Sequence, residues 1–125
     1  MNLNQVTVPV YDIERSINFY EKLGLKLIVV DLFHYARFEC PEGDATFSLH
    51  QVDGTQNRSG IWLYFEVQHL DDYVQELLNK GIKFEELPID KSWLWRESRL
   101  KDPDNNQIIL YFAGDNRKYP PWRLK

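Results

Sequence analysis

Two glutamates and a group of tryptophans and tyrosines are the residues of this 125-residue chain best suited to chemistry. Glu66 and Glu97 would serve as an acid/base pair if burial raised the pKa of one of them. The plainer alternative makes both polar groups on a wet surface, with Glu97 paired to Arg99. Trp62, Tyr64, Trp93, Trp95 and Tyr111 form an aromatic stripe that suits stacking on a planar guest, and carboxylates beside it suit a guest that is cationic. The same stripe would also serve as a filling that closes its own cavity, or as a dimer interface. His50 is the imidazole best placed to join the glutamates, ahead of His34 and His69, and His69 reads most simply as a residue beside a helix start. Cys40, next to Pro41, has no visible base and reads as a small buried thiol.

These residues are positioned by a pattern that occurs twice, with an offset of 57 residues. Val6, Val8 and Val10 answer to Leu63, Phe65 and Val67; Ile13 and Ile17 to Leu70 and Val74; Gly24 to Gly81. Matched apolar positions and helix-ending glycines mean a repeated supersecondary unit, whose faces bury against each other and leave the space between the halves as the natural site. Val6–Val10 alternates as a strand; Asp12 caps a helix of about eleven residues that stops at Gly24. Strands follow over 25–30, 33–40 and 46–52, joined by turns such as Pro41-Glu42-Gly43-Asp44. The polar stretch 51–60 connects the halves. A strand over 61–67, a helix over 70–80 with Tyr73, Val74, Leu77 and Leu78 on its buried face, and strands over 82–87, 93–100 and 107–113 complete the second unit. The prediction is an α+β fold of two tandem βαβββ units: one domain, residues 1–125, with units over about 3–53 and 61–113 and a tail from 114 to 125. The proline-rich tail should lie extended, with Trp122 packed on the body or on a partner subunit.

Strand parity separates two faces. Val6, Val8, Val10, Ile61, Leu63, Phe65, Val67, Phe47, Leu49, Ile108, Leu110 and Phe112 belong under the helices. Gln5, Thr7, Ser48, His50, Trp62, Tyr64, Glu66, Gln107, Ile109 and Tyr111 face the other way, joined by Trp93, Trp95, Glu97 and Arg99. Helices on one side of a curved sheet leave a concave side lined by aromatics with a few polar groups.

Composition narrows the options. The net charge of −4, with scattered basic residues, argues against nucleic acid. No apolar run is long enough to span a membrane and no export signal opens the chain. The lone Cys40 fits a reducing compartment, so the expected location is the cytoplasm.

The string from Val8 through Asp12, Tyr20 and Gly24 to Leu25, together with Asp102-Pro103-Asp104-Asn105-Asn106-Gln107-Ile108-Ile109-Leu110, resembles the vicinal oxygen chelate superfamily of glyoxalases, bleomycin-resistance proteins and dioxygenases. Asn105 stands where glycine is usual. The resemblance implies that metal-using members hold a divalent ion with His or Glu at four positions, which correspond here to Gln5, Ser48, Trp62 and Ile109. Tryptophan and isoleucine are not ligands, so no metal and no other cofactor is expected at this place. It also implies a homodimer, which would protect the open sheet edges. The expected function is therefore small-molecule binding of the bleomycin-resistance type, with a planar or cationic ligand held by Trp62, Tyr64, Glu66, Trp93, Trp95, Glu97, Arg99 and Tyr111. The alternative is a glyoxalase-like lyase, isomerase or dioxygenase using a displaced metal site near His50, or metal-free chemistry at Glu66 and Glu97.

Overall fold

The computed structural model of the chain describes residues 2–31, 34–53 and 61–124. The strands and helices run β1 (Gln5–Val10), α1 (Ile13–Leu23), β2 (Lys26–Asp31), β3 (Tyr35–Glu39), β4 (Thr46–Gln51), β5 (Trp62–Glu66), α2 (Leu70–Asn79), β6 (Glu86–Asp90), β7 (Arg96–Lys101) and β8 (Gln107–Phe112). They form two four-stranded mixed sheets, ordered β1-β4-β3-β2 and β5-β8-β7-β6, so the βαβββ unit occurs twice. The chain divides into two compact units, Met1–Ser59 with Asp102–Asn106 and Gly60–Lys101 with Gln107–Lys125. Most of the polar connection over 51–60 lies outside the described residues, whereas Gln51 itself ends β4.

In the first unit, Asp12 caps α1 by accepting from the Arg15 backbone N–H at 3.2 Å. Gly24, with φ of 119°, ends it in the left-handed conformation that its missing Cβ permits. The helix buries Ile13, Ile17, Tyr20 and Leu23 and packs on β3 and β4, where Phe38, Phe47 and Leu49 are buried. Each such side chain contributes on the order of 1.5–3 kcal/mol when fully buried. The turn Asp102–Asn106 belongs to this core. Asp102 Oδ2 accepts from the Tyr20 hydroxyl at 2.7 Å; Asp104 Oδ2 accepts from the Tyr11 N–H at 3.0 Å and the Ser16 hydroxyl at 3.2 Å; Asp104 Oδ1 pairs with Arg15. Asn105 adopts φ of 67°, which explains why a residue tolerant of that region replaces glycine there.

In the second unit, α2 buries Leu70, Val74 and Leu77 against β8 and the approach to β6, while Tyr73 and Leu78 are only half-buried. Leu63, Ile108, Leu110 and Leu100 lie on the helix side, as parity requires. Two strands differ from the sequence expectation. β6 begins at Glu86, because Ile82 is used as a buried anchor after Gly81 and pairing with β7 starts later, with an irregularity at Pro88. β7 begins at Arg96, because residues 91–95 form a tight hairpin in which Lys91 N–H donates to the Trp95 carbonyl at 2.8 Å and Leu94 takes φ of 69°. These shifts widen the repeat: Gln5 and Trp62 match at 57, but their partners Thr46 and Gln107 match at 61.

The tail also departs from the extended chain expected. Gly114–Arg117 is a 3-10 helix, and the Arg123 N–H closes a turn on the Pro120 carbonyl. Trp122 is 57% exposed, so within its own chain the indole is not buried as a docked one would be.

Candidate functional site

The helix-free face of the second sheet gathers most of the residues singled out by parity. Trp62 and Gln107, Tyr64 with Ile109 and Arg99, and Glu66 with Tyr111 and Glu97 lie in successive rows across β5, β8 and β7. Trp95 stacks on Tyr111 with ring centroids 4.6 Å apart and planes inclined by 16°, and Tyr64 meets both rings edge-on at 6.0 and 5.6 Å. The Arg99 guanidinium lies 4.9 Å from the Trp62 ring centre.

This face is partly filled and partly open. Ile109 and Tyr111 are buried although they point away from α2, because Trp95 packs against them and the 3-10 turn of the tail takes the Trp95 Nε1–H on the Asn116 carbonyl at 3.3 Å. Trp62, Tyr64 and Trp93 remain exposed at 49%, 46% and 42%. Trp93 leaves the strand parity expected of it, since it sits in the hairpin before β7, yet its Nε1–H still reaches Glu97 Oε2 at 2.7 Å. Glu97 is 2% exposed, and its Oε1 is buried without a hydrogen-bond partner among the described residues, as is Arg99 Nε. Such atoms each cost about 1–3 kcal/mol unless something fills them. Burial, and then the Glu97 charge, raise the Tyr64 pKa from its ordinary value; burial, and then Glu66, do the same for Tyr111.

Glu66 has another task. Its Oε2 accepts from the backbone N–H groups of Ala113 and Gly114, both at 2.9 Å, and its Oε1 lies 3.8 Å from Arg117 Nε, so it fastens the end of β8 to the tail turn. Both Glu66 oxygens thus have partners, whereas Glu97 keeps one buried oxygen without any among the described residues. His34, His50 and His69 are exposed, and His69 precedes α2 without capping it through its side chain. Burial raises the Cys40 thiol pKa, which lowers its thiolate fraction.

The four positions implied for a metal do not fit one. Ile109 has no donor atom and is fully buried, and Trp62 offers an indole against a guanidinium. Gln5 and Ser48 are engaged with each other, and Gln5 also accepts from Thr46. Among the described residues no three His, Cys, Asp or Glu side chains are grouped so that they could hold a metal ion.

Strand parity in β3 adds two residues to the helix-free face of the first sheet. Tyr35 and Arg37 alternate with the buried Ala36 and Phe38 and so face the same way as Ser48. Their signal was present in the sequence as polar residues interleaved with apolar ones.

No helix among the described residues is long and apolar enough to cross a membrane. The model of the Glyoxalase/Bleomycin resistance protein/Dioxygenase superfamily matches residues 2–110. The uncharacterized protein YraH of Bacillus subtilis (strain 168) is 30% identical across 89% of this chain and 98% of its own length. A glyoxalase/bleomycin resistance protein/dioxygenase from Nocardioides superposes with a TM-score of 0.77 at 22% identity, over 100% of this chain and 90% of that one. Lactoylglutathione lyase from Agrobacterium tumefaciens gives 0.73 at 14% identity, over 90% and 93% of the two chains. At these identities the structural likeness concerns the fold, but with the sequence matches and the duplicated βαβββ unit it leads to one assignment: the chain belongs to the Glyoxalase/Bleomycin resistance protein/Dioxygenase superfamily.

Proposed function

We propose that this protein binds a planar, cationic or N–H-bearing small molecule on the helix-free face of its second sheet, without a chelated metal. The observation that carries the reading is the buried Glu97 carboxylate with one oxygen unfilled, near the half-exposed rings of Tyr64 and Trp93, with the exposed Trp62 further along the same face. The rings supply stacking area and Glu97 an acceptor for the guest's positive or N–H edge. The Trp93 indole already occupies the other Glu97 oxygen, and is itself a planar N–H donor of the kind proposed. The same unfilled oxygen supports a second reading, acid/base chemistry at Glu97, in which the bound molecule is turned over.

Titration with proflavine, a planar aromatic cation, tests the first reading. Tryptophan fluorescence is expected to fall saturably, the melting temperature to rise, and Glu97→Gln to weaken binding. No response of either signal to proflavine or to neutral acridone overturns it. The proposed setting is the cytoplasm and the proposed form a homodimer. Ile28, Val29 and Val30 of edge strand β2 and Leu87 and Ile89 of edge strand β6 are exposed apolar residues of the kind a partner covers.

A further inference from the structure

The helix-free face of the first sheet carries a separate polar cluster on β1, β3 and β4. Tyr35 Oη lies 2.7 Å from Ser48 Oγ and accepts from Arg37 Nε at 2.8 Å, and the Arg37 guanidinium leans over the Tyr35 ring at 5.3 Å. Gln5 Nε2 donates to Ser48 Oγ and, at 3.2 Å, to Thr7 Oγ1.

A count of protons shows what this cluster lacks. Gln5 spends its amide hydrogens on Thr7 and Ser48 and its oxygen on Thr46. The Tyr35–Ser48 bond uses one of that pair's two hydroxyl hydrogens, whichever residue donates, and so leaves one O–H over. Arg37 spends only Nε, so both its Nη groups have no acceptor, and no carboxylate lies within 4.0 Å of it among the described residues. Ser48 is fully buried and fixes the inner end, while Tyr35 and Arg37 are half-buried and reach the surface. The result is a prearranged group rich in donors, with one positive charge and no carboxylate of its own among the described residues.

We propose that Arg37, Tyr35 and Ser48 form an oxyanion-binding site, with the Arg37 fork taking two oxygens of a carboxylate or phosphonate and the spare hydroxyl hydrogen a third lone pair. The hydrogen bonds from Ser48 and Arg37, with the Arg37 charge, outweigh the effect of burial and lower the Tyr35 pKa, as a site of positive potential should. The second unit does not repeat the site. Arg99 holds the equivalent register opposite Ile109, but an aliphatic side chain replaces the hydroxyl and the guanidinium faces Trp62.

Titration of the full-length protein with benzoate and with phenylphosphonate at constant ionic strength, followed by calorimetry in parent and variants and also through the arginine Nε–H resonances in the parent, tests this. The Arg37 signal is expected to shift saturably. Arg37→Met should abolish the effect, and Tyr35→Phe should weaken binding about tenfold. Preference for one compound tells carboxylate from phosphoryl recognition, and either preference upholds the site. A shift that never saturates with either compound, or equal binding by Arg37→Met with unchanged circular dichroism, overturns it. Arg37→Lys, which keeps the charge and loses the fork, should bind more weakly than the parent; equal binding also overturns the fork geometry. Proflavine binding should survive Arg37→Met, so failure of this site and failure of the aromatic face are distinguishable.

Discussion

Replacing Tyr20 by phenylalanine separates one buried hydrogen bond from the packing around it. Tyr20 is fully buried, with ring neighbours Phe47 at 4.7 Å, Phe19 at 5.1 Å and Phe38 at 6.0 Å, all of which Tyr20→Phe retains. The hydroxyl donates to Asp102 Oδ2 at 2.7 Å. That oxygen keeps Asn106 Nδ2 at 2.8 Å, and Oδ1 keeps the Asp104 and Asn106 backbone N–H groups at 2.8 Å, so no acceptor is orphaned. A charge-assisted hydrogen bond contributes about 1.5–3 kcal/mol, and relief from burying the hydroxyl offsets part of this, so the expected loss is about 1–2 kcal/mol. The pH dependence provides a sharper test. Burial, and then the Asp102 charge and hydrogen bond, raise the Tyr20 pKa well above 10.0. The folded chain therefore keeps a proton that the unfolded chain has released. This contribution is fully present below pH 10 and declines as pH rises toward the folded value, at about 1.4 kcal/mol per pH unit. The variant has no such proton. The stability gap between the two proteins, measured by urea unfolding with circular dichroism, should narrow above pH 10. A gap that is absent at neutral pH, or that stays constant or widens above pH 10, refutes the reasoning.

Other outcomes follow from particular contacts. Asn105 holds φ of 67°, so Asn105→Ala should cost about 1 kcal/mol in thermal unfolding while Asn105→Gly costs little. Ending the chain after Asp115 removes the Asn116 carbonyl that accepts from Trp95, so tryptophan emission should move to the red; an unchanged spectrum would show that the turn does not cover this ring. Light scattering should give twice the 15.0 kDa chain mass, and a species of single mass at micromolar concentration removes the proposed dimer.

The duplicated unit is legible in the chain without coordinates, because a 57-residue recurrence of apolar residues and of Gly24 and Gly81 is written in local periodicity and helix-stop chemistry. Which side of β1, β4, β5 and β8 meets a helix was legible too, since strand parity is a local rule, whereas the place of Trp62 and Ile109 at usual ligand positions came from the family resemblance. The starts of β6 and β7 were not legible. They depend on pairing between strands and on a hairpin at residues 91–95 whose left-handed residue is Leu94, where neither glycine nor asparagine marks the turn. Nor was the division of labour among like residues. Glu66 and Glu97 share a parity, yet one fastens β8 to the tail and the other is buried with an unfilled oxygen, because backbone N–H groups arrive from Ala113 and Gly114 in one case and an indole from Trp93 in the other. The turn Asp102–Asn106 was legible as a turn, and Asp102 and Asp104 as its polar residues. Only the tertiary structure brought Tyr11, Arg15, Ser16 and Tyr20 to those carboxylates across more than 80 residues of chain, since a buried charge is stable only where distant donors converge on it.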